Sequence, residues 1–347
     1  MAERVAPPIN WMGVLVIALL IIVAGVAAWE VAMRREGLRA GDLGSNDSNW
    51  ARERRRVDAD PAATVIVGSS RLLFNVDTLL WGQLNGKRPI QLSREGTNPR
   101  PVLSDLAKDR TYRGLVIVGY DPMVFWGRGA GAVRLVEAAK EEPLFKRTGL
   151  ILHEELSRVF AFFDDRMNPV GWLEHLDVPQ RTARGGFNQP WKLLEMGEGR
   201  DSWMWPRVET DRAYRDKAAS IWLLPPPPWA KPTTPADKAK FIAEVARDVR
   251  AIRARGGDVV FVRSPSDGPL LEIENRVHPR AQTWDRLLAA TGARGIYWTD
   301  DPVLSRLRTV ELSHLSKADR EPFTRRIVEL IYGWKPDASG LGRTDHR

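Results

Sequence analysis

The longest run of apolar positions lies near the start of the chain. Between Trp11 and Trp29 the sequence reads WMGVLVIALLIIVAGVAAW, with no charged residue and a tryptophan at each end. About twenty apolar residues cross the hydrocarbon of a bilayer, and tryptophans concentrate at its interfaces. The pattern predicts a single transmembrane helix. The alternative is a cleaved signal peptide, because Val26-Ala27-Ala28 resembles a cleavage site, but such apolar regions normally run only about 7 to 15 residues.

The charges that flank this run give conflicting evidence about orientation. Arg4 precedes it, whereas Arg34, Arg35 and Arg39 follow it, so the positive-inside rule alone would keep the bulk of the chain in the cytoplasm. Short N-terminal anchors that resemble signal sequences commonly export the chain behind them. We therefore expect an uncleaved anchor, residues 1–35, with an exported C-terminal domain.

After the anchor, the pattern changes twice. Residues 36–60 are polar and predict a juxtamembrane stalk with a short helix near 50–57, and from residue 61 short apolar runs alternate with amphipathic segments. The apolar runs predict buried strands at 64–67, 89–92, 115–119, 259–262 and 296–298, and the amphipathic segments predict helices near 76–84, 101–108, 236–255, 281–290 and 317–332. Such alternation implies right-handed crossovers, so we predict an α/β fold with a parallel sheet of about five strands between two layers of helices.

Residues 125–235 interrupt this alternation. They contain several tryptophans and four consecutive prolines from Pro225, without a clear strand period. We predict that they form an irregular insertion, which caps the sheet, within a domain spanning 61–335. The tail 336–347 is predicted to be disordered.

Composition excludes several classes of function. The chain has no cysteine, which rules out disulfides, thiolate catalysis and Cys-ligated zinc. Its net charge of +8 comes from basic residues interleaved with acidic ones, whereas nucleic-acid binders gather their positive charge, so we expect no nucleic-acid partner. No P-loop, GxGxxG, HExxH or EF-hand pattern is present, and we expect no cofactor and no metal. The fourteen tryptophans fit core packing, sugar stacking or docking to a membrane partner.

The candidate chemistry begins where the first predicted strand ends, in Gly68-Ser69-Ser70-Arg71. Ligands of parallel sheets bind beyond the carboxyl ends of the strands, although Gly and Ser are also ordinary turn residues. A serine nucleophile needs a base, which a third group must orient. Among the histidines, His314 stands between the last predicted strand and the last helix, three residues after Glu311. In a loop, that spacing lets the carboxylate hold Nδ1 while Nε2 faces a serine. Taken alone, His314 fits a capping or surface histidine better, and only its combination with the serine turn and Glu311 favours a catalytic base.

Together these motifs resemble the SGNH, or GDSL-type, hydrolase superfamily. The similar elements are Gly68-Ser69-Ser70 after the first strand, Gly96 in QLSREGTNP and Glu311-Leu312-Ser313-His314 before the last helix. The resemblance spans most of 61–124 and 236–332. It implies a flavodoxin-like three-layer α/β/α domain, with Ser70 as nucleophile, His314 as base and Glu311 as its orienting acid. The backbone N–H groups of Ser70 and Gly96 would form the oxyanion hole.

The sequence departs from the family pattern at two points. The third block normally reads Gly-x-Asn, whereas Gly119-Tyr120-Asp121 stands here, and an ionised carboxylate cannot donate to an oxyanion. Asn98 could substitute, although it is also a turn residue before a proline. The other departure is Glu311 in place of the usual Asp, which is one methylene shorter.

Two arginines follow predicted strand ends. Arg71 comes after the first strand and Arg263 after the fourth, so we predict that both bind an anionic group of the substrate. Surface ion pairing is the alternative.

The anchor and the Gly-Ser-Ser turn together resemble the membrane-anchored branch of the superfamily, similar to alginate-acetylation and teichoic-acid D-alanylation proteins. These proteins work beside a membrane-bound O-acyltransferase. The resemblance implies a single-pass protein of the inner (cytoplasmic) membrane, with a periplasmic domain in which Ser70 passes an acyl group to an envelope polysaccharide. Two alternatives remain: a carbohydrate esterase with the same triad, or a non-catalytic SGNH scaffold for glycan binding or assembly.

Overall fold

The computed structural model describes residues 10–167, 190–225 and 232–333 of the chain. Its first element is helix α1, Trp11–Arg35, which is long and apolar enough to span a membrane or to serve as a signal sequence. None of its most apolar window is buried against the rest of the protein. The predicted disordered tail, 336–347, lies outside the described residues, as do 168–189 and 226–231 of the predicted insertion.

The described residues contain seven strands: β1 Val65–Val67, β2 Ile90–Gln91, β3 Leu115–Gly119, β4 Leu194–Met196, β5 Ser202–Met204, β6 Asp258–Arg263 and β7 Arg294–Tyr297. Five of them form one parallel sheet in the order β2-β1-β3-β6-β7. This is the strand order 2-1-3-4-5 of one common doubly wound arrangement. The predicted α/β architecture and its parallel sheet are confirmed.

Thirteen further α-helices are described: α2 Asp47–Ala59, α3 Ser70–Asn75, α4 Thr78–Asn85, α5 Pro99–Lys108, α6 Pro122–Phe125, α7 Ala130–Lys140, α8 Leu144–Val159, α9 Pro206–Thr210, α10 Arg212–Ser220, α11 Pro235–Arg253, α12 Gly268–Val277, α13 Trp284–Thr291 and α14 Arg320–Tyr332. Side chains alternate between the two faces of each strand. On one face, sheet residues such as Val116 and Phe261 pack with α2, α5, α7, α11 and α13. On the other, residues such as Ile117 and Val260 pack with α3, α4 and α14.

Helix α2 belongs to the core of the domain. Trp50 and Val57 are fully buried, and the indole N–H of Trp50 donates to the carbonyl oxygen of Leu92 at 2.8 Å, next to β2. The short helix predicted near 50–57 is present. This part of the predicted stalk is therefore packed against the sheet and is not a separate segment outside the domain.

The predicted insertion is more regular than its sequence pattern indicates. It contains α7, α8 and an antiparallel hairpin of β4 and β5. Met196 and Met204 of the hairpin pack against Leu73 and Phe74 of α3. Each hairpin strand has only three residues, which is too short to show a period of two in the sequence.

A buried ion triad fastens the hairpin to the segment that follows α1. The Lys192 ammonium donates to Asp42 at 2.6 Å and also pairs with Asp164, and all three side chains are buried. Burial alone would lower the pKa of Lys192, but the two carboxylates hold it above its ordinary value. The chain between α1 and α2 is thus fixed to the domain.

Candidate active site

Strand β1 ends in a tight turn that begins α3 at once. A side chain at Gly68 would come within 3.1 Å of the Ser93 hydroxyl and 3.4 Å of the Gly119 backbone, so only glycine fits there without displacement. Ser69 caps α3, and its hydroxyl also donates to Asp121 at 3.1 Å, just beyond β3. Ser70 is the first residue of the helix and is nearly buried. The Gly-Ser-Ser turn therefore lies at the carboxyl edge of the sheet, as predicted.

Glu311 and His314 sit in a closed turn after β7. Thr309 and Leu315 pair across its base, and Asp267 accepts from the N–H of Thr309 at 2.6 Å. At the tip, Leu312 has a φ of +76°, a left-handed conformation that is uncommon for a residue with a side chain. The turn is thus held in one shape by groups on both sides.

Inside this turn the carboxylate and the imidazole are directly joined. One oxygen of Glu311 pairs with Nδ1 of His314, and the other accepts from the His314 backbone N–H at 3.1 Å. Both side chains are fully buried. Burial by itself raises the pKa of Glu311, but the interaction with His314 and these hydrogen bonds lower it below its ordinary value. The arrangement is the one the i, i+3 spacing predicts.

Helix α3 packs against this turn through three side chains. The phenyl ring of Phe74 stacks on His314, with 4.2 Å between ring centroids. Arg71 Nε donates to the Ser313 hydroxyl at 3.1 Å, and Asn75 accepts from the Leu315 N–H at 3.1 Å. Residues four apart lie on one side of a helix, so Ser70 shares with Phe74 the side of α3 that faces His314.

The predicted serine and histidine are not hydrogen bonded in the structure. Nε2 of His314 is buried and makes no hydrogen bond within the described part of the chain. Trp222, from the predicted insertion, lies edge-on to the imidazole at 5.3 Å between centroids. Catalytic hydrogen bonds are often long before a substrate binds. The site thus has its members on facing elements, with the imidazole covered by aromatic rings.

The two arginines predicted to bind an anionic substrate are instead joined through Glu274 of α12. Arg71 Nη2 donates to Glu274 at 2.5 Å, and Arg263 pairs with its other oxygen; all three residues are buried. Burial alone would raise the pKa of Glu274, but the two guanidinium groups lower it to about 2. Arg263 also donates to Ser266 at 2.8 Å and to the Ser264 carbonyl at 2.7 Å. Both arginines therefore have a protein partner where the sequence predicted a substrate.

Glu274 is a member of this site that sequence reasoning missed. It lies 203 residues from Arg71 along the chain. No local motif marks it, and only its inward position on α12 distinguishes it from neighbouring acids. A buried nitrogen of Arg71, Nη1, has no hydrogen-bond partner among the described residues, so one donor of this arginine is still uncommitted.

The predicted oxyanion residues have different environments. The loop after β2 runs beside the serine turn, since the Arg94 N–H donates to the Gly68 carbonyl at 3.1 Å. Gly96 in that loop is exposed and has a φ of +59°. Asn98, in contrast, caps α5: its Oδ1 accepts from the Arg100 N–H at 2.9 Å. Its amide nitrogen donates to the carbonyl oxygens of Val124, Phe125 and Gly127 at 2.9–3.0 Å.

These bonds argue against the oxyanion role predicted for Asn98. A side-chain amide has two N–H donors, and three backbone carbonyls already share them. Asp121, which stands where the family pattern has Asn, accepts from Ser69 and lies 3.6 Å from Arg71. Its second oxygen is buried without a partner in the described ranges.

Comparison with known proteins does not place the chain in a family. No protein-family model matches it, and no curated protein is significantly similar to it. Within 10–167, 190–225 and 232–333, no group of three or more His, Asp or Glu side chains could hold a metal ion.

Proposed function

We propose that this chain is a membrane-anchored acyl-transfer protein in which Ser70 carries the acyl group. One observation carries the proposal: Nε2 of the buried Glu311–His314 pair makes no hydrogen bond within the described residues, and Phe74, one turn after Ser70 on α3, stacks on the same imidazole. A hydroxyl becomes nucleophilic when a base takes its proton in this way.

The proposed chemistry has two steps. Ser70 Oγ attacks the acyl carbon of an ester donor, its proton passes to His314 Nε2, and the donor's alcohol leaves with that proton. In the second step a hydroxyl of the acceptor loses its proton to Nε2 and attacks the Ser70 ester. The bond from the acyl carbon to Ser70 Oγ breaks, and Nε2 returns the proton to Oγ, which frees the serine and the neutral imidazole. Ionised Glu311 stabilises the imidazolium that forms in both steps. Its lowered pKa keeps it ionised at neutral pH.

The negative charge that develops on the acyl oxygen needs hydrogen-bond donors. Asn98 is committed to three carbonyls. Arg71 Nη1 is a buried donor without a partner in the described residues, on the residue next to Ser70. The backbone N–H groups of Ser70 and Gly96 are the others that the resemblance to SGNH hydrolases supports. Each such donor typically contributes about 3–4 kcal/mol to a transition state.

The acceptor and the setting rest on the same resemblance. Helix α1 is long and apolar enough to hold the domain at a membrane. We propose that the membrane is the inner membrane, that the domain is exported and that the acceptor is a hydroxyl of an envelope polysaccharide. A membrane-bound O-acyltransferase is the proposed source of the acyl group.

A second candidate is a non-catalytic scaffold that holds a glycan or a partner protein. Two observations favour it: Ser70 and His314 are not hydrogen bonded, and Trp222 covers the imidazole. The two candidates differ in whether Ser70 reacts.

The test is covalent labelling of the full chain in detergent with a fluorophosphonate. The proposal expects labelling at Ser70, which Ser70→Ala and His314→Gln abolish. Ser69→Ala is the matched control, because it removes the neighbouring hydroxyl, which bonds to Asp121; it should still label if it folds, as judged by circular dichroism. Folded wild-type protein that does not label would favour the scaffold. Following acetyl from an activated ester to glycan or to water then separates a transferase from an esterase.

A further inference from the structure

Helix α8 has an apolar side that no described part of the protein covers. The helix packs on the domain through Leu150, Glu154 and Ser157, which are buried. Its opposite side carries five large apolar residues that are 60–75% exposed: Leu144, Phe145, Ile151, Leu152 and Val159. Outside α1, no other large apolar side chain in the described ranges is more than 53% exposed.

These five residues form one continuous face. Their spacing of seven and eight positions puts them on one side of a helix with 3.6 residues per turn. The same face contains one carboxylate, Glu155, which is paired with Arg158. Arg147, near the start of the helix, and Arg158, near its end, lie along one border of it. We call this surface, Leu144, Phe145, Ile151, Leu152 and Val159, the α8 face.

The end of α8 is joined to the end of α1. The Glu30 carboxylate accepts from the N–H groups of Ala161 and Phe162 at 3.0 and 3.3 Å. Arg34, one turn further along α1, donates to the Val159 carbonyl at 3.5 Å. Glu30 directly follows Trp29, where the uncharged apolar run of α1 stops. If α1 spans a bilayer, the end of α8 therefore lies at the depth where α1 leaves the hydrocarbon.

We propose that α8 is an interfacial helix, which lies in the headgroup region of the bilayer that α1 crosses and buries the α8 face among the acyl chains. The bilayer is the favoured occupant for two reasons. The end of α8 is hydrogen bonded to the end of α1, whose apolar surface is exposed, and arginines stand at the border of the α8 face. Helices with an apolar face and basic flanks bind bilayers in this way. Left in water, such a face would be a large apolar patch of the kind soluble monomers avoid. The proposal depends on α1 crossing the membrane and not on the chemistry of Ser70.

The test uses the natural lack of cysteine in the chain. Two single-cysteine variants of the full chain, Phe145→Cys and Leu152→Cys, are each labelled with an environment-sensitive NBD fluorophore. The labelled proteins are reconstituted in proteoliposomes of phosphatidylethanolamine and phosphatidylglycerol. The probe at position 145 is the most informative, because about 21 Å of helix separates it from Val159, the end of α8 that is bonded to α1. The matched control is Leu79→Cys on α4, which is 53% exposed, and Leu20→Cys in α1 reports insertion.

We expect blue-shifted emission at 145 and 152, and loss of emission when the lipids carry brominated acyl chains, as at Leu20→Cys. The probe at 79 should be unaffected. No quenching at 145 and 152 while the Leu20 probe is quenched would overturn the proposal. A blue shift that brominated lipids do not quench would also overturn it, because the face would then be covered by protein, either another segment or a second copy. An unquenched Leu20 probe would remove the premise that α1 crosses the bilayer.

Discussion

The phenyl ring of Phe74 lies nearly parallel to the imidazole of His314, with 4.2 Å between centroids and 21° between planes. Since Phe74 is one helical turn after Ser70, the ring that stacks on the imidazole and the proposed nucleophile share one side of α3. Trp222 lies edge-on to the same imidazole, with 65° between the ring planes. The imidazole is thus held between two aromatic rings while Glu311 holds Nδ1.

Removing the tryptophan should expose the histidine. We expect Trp222→Ala to increase the modification of His314 by diethyl pyrocarbonate, because the imidazole is fully buried in the wild type. Mass spectrometry of the peptide that contains His314 measures this. Trp203→Ala is the control, since Trp203 packs against Arg39 and Lys317 rather than His314. Equal modification in wild type and Trp222→Ala would contradict the arrangement.

Glu311→Gln should lower stability and change its dependence on pH. The folded pKa of Glu311 lies below its ordinary value, so the unfolded chain binds the proton more tightly. Its contribution to the free energy of unfolding is therefore present above about pH 4.3, the unfolded pKa, and is lost as pH falls through the folded pKa.

Urea denaturation between pH 7 and pH 3 checks this prediction. We expect Glu311→Gln to lose about 1–3 kcal/mol at pH 7 and to show a smaller decline than the wild type in acid. Glu155→Gln, at an exposed position of α8, should leave both quantities nearly unchanged. A variant with the same acid profile as the wild type would show that Glu311 does not contribute through its charge.

Glu274→Gln should destabilise the fold more strongly. It leaves Arg71 and Arg263 buried without their shared carboxylate, and breaking a buried ion pair typically costs about 3–5 kcal/mol. The pKa of Glu274 is about 2, so its contribution is fully present above about pH 4.3 and is lost as pH falls toward 2. Glu272→Gln, exposed on the same helix, is the matched control. Similar denaturation midpoints for the two variants would refute the role of Glu274.

The turn at Leu312 offers a test of backbone strain. Its left-handed conformation costs a residue with a side chain about 1–2 kcal/mol, and a β-branched side chain tolerates it least. We expect Leu312→Val to lower the melting temperature, whereas Leu312→Gly stays close to the wild type because Leu312 is only partly buried. Thermal denaturation followed by circular dichroism distinguishes the two. If Gly proved more damaging than Val, side-chain packing rather than strain would dominate at this position.

Trp50→Ala should show that the domain begins before residue 61. Truncating a fully buried tryptophan typically costs about 3–5 kcal/mol, and Trp50 also loses its bond to Leu92. A chain that starts at residue 61 should fail to fold, because it lacks α2. Arg56→Ala, on the exposed side of α2, should change the free energy of unfolding by less than about 1 kcal/mol. Wild-type stability for Trp50→Ala would restore the interpretation of this segment as a stalk.

Local sequence patterns were sufficient to predict most of the fold. Strand β3 was predicted at its observed bounds, Leu115–Gly119, because a short, continuous run of apolar and mostly β-branched residues is typical of a buried strand. The Glu311–His314 pair was predicted because the two residues are three apart, a separation that one turn can close. In both cases the information lies within a few neighbouring residues.

Contacts between distant residues could not be predicted. The partner of Arg71 and Arg263 is Glu274, and the ring that stacks on His314 belongs to Phe74, which is far from it along the chain. Asn98 shows the same limit, since its three carbonyl acceptors belong to the end of α6 and the residues just after it. Helix α8 was not predicted from the sequence because its most exposed residues are apolar, which is the reverse of the usual amphipathic pattern.

The fastening of the chain around Lys192 and Glu30 has a mechanical consequence. One ammonium pairs with both Asp42 and Asp164, and α1 is hydrogen bonded to the end of α8. The segment between α1 and α2 is therefore not a flexible linker about which the domain could rotate. For a protein anchored through α1, the reach of Ser70 above the lipid is then set by the fold itself. Under the proposed function, an acyl donor or acceptor would have to come to that fixed height.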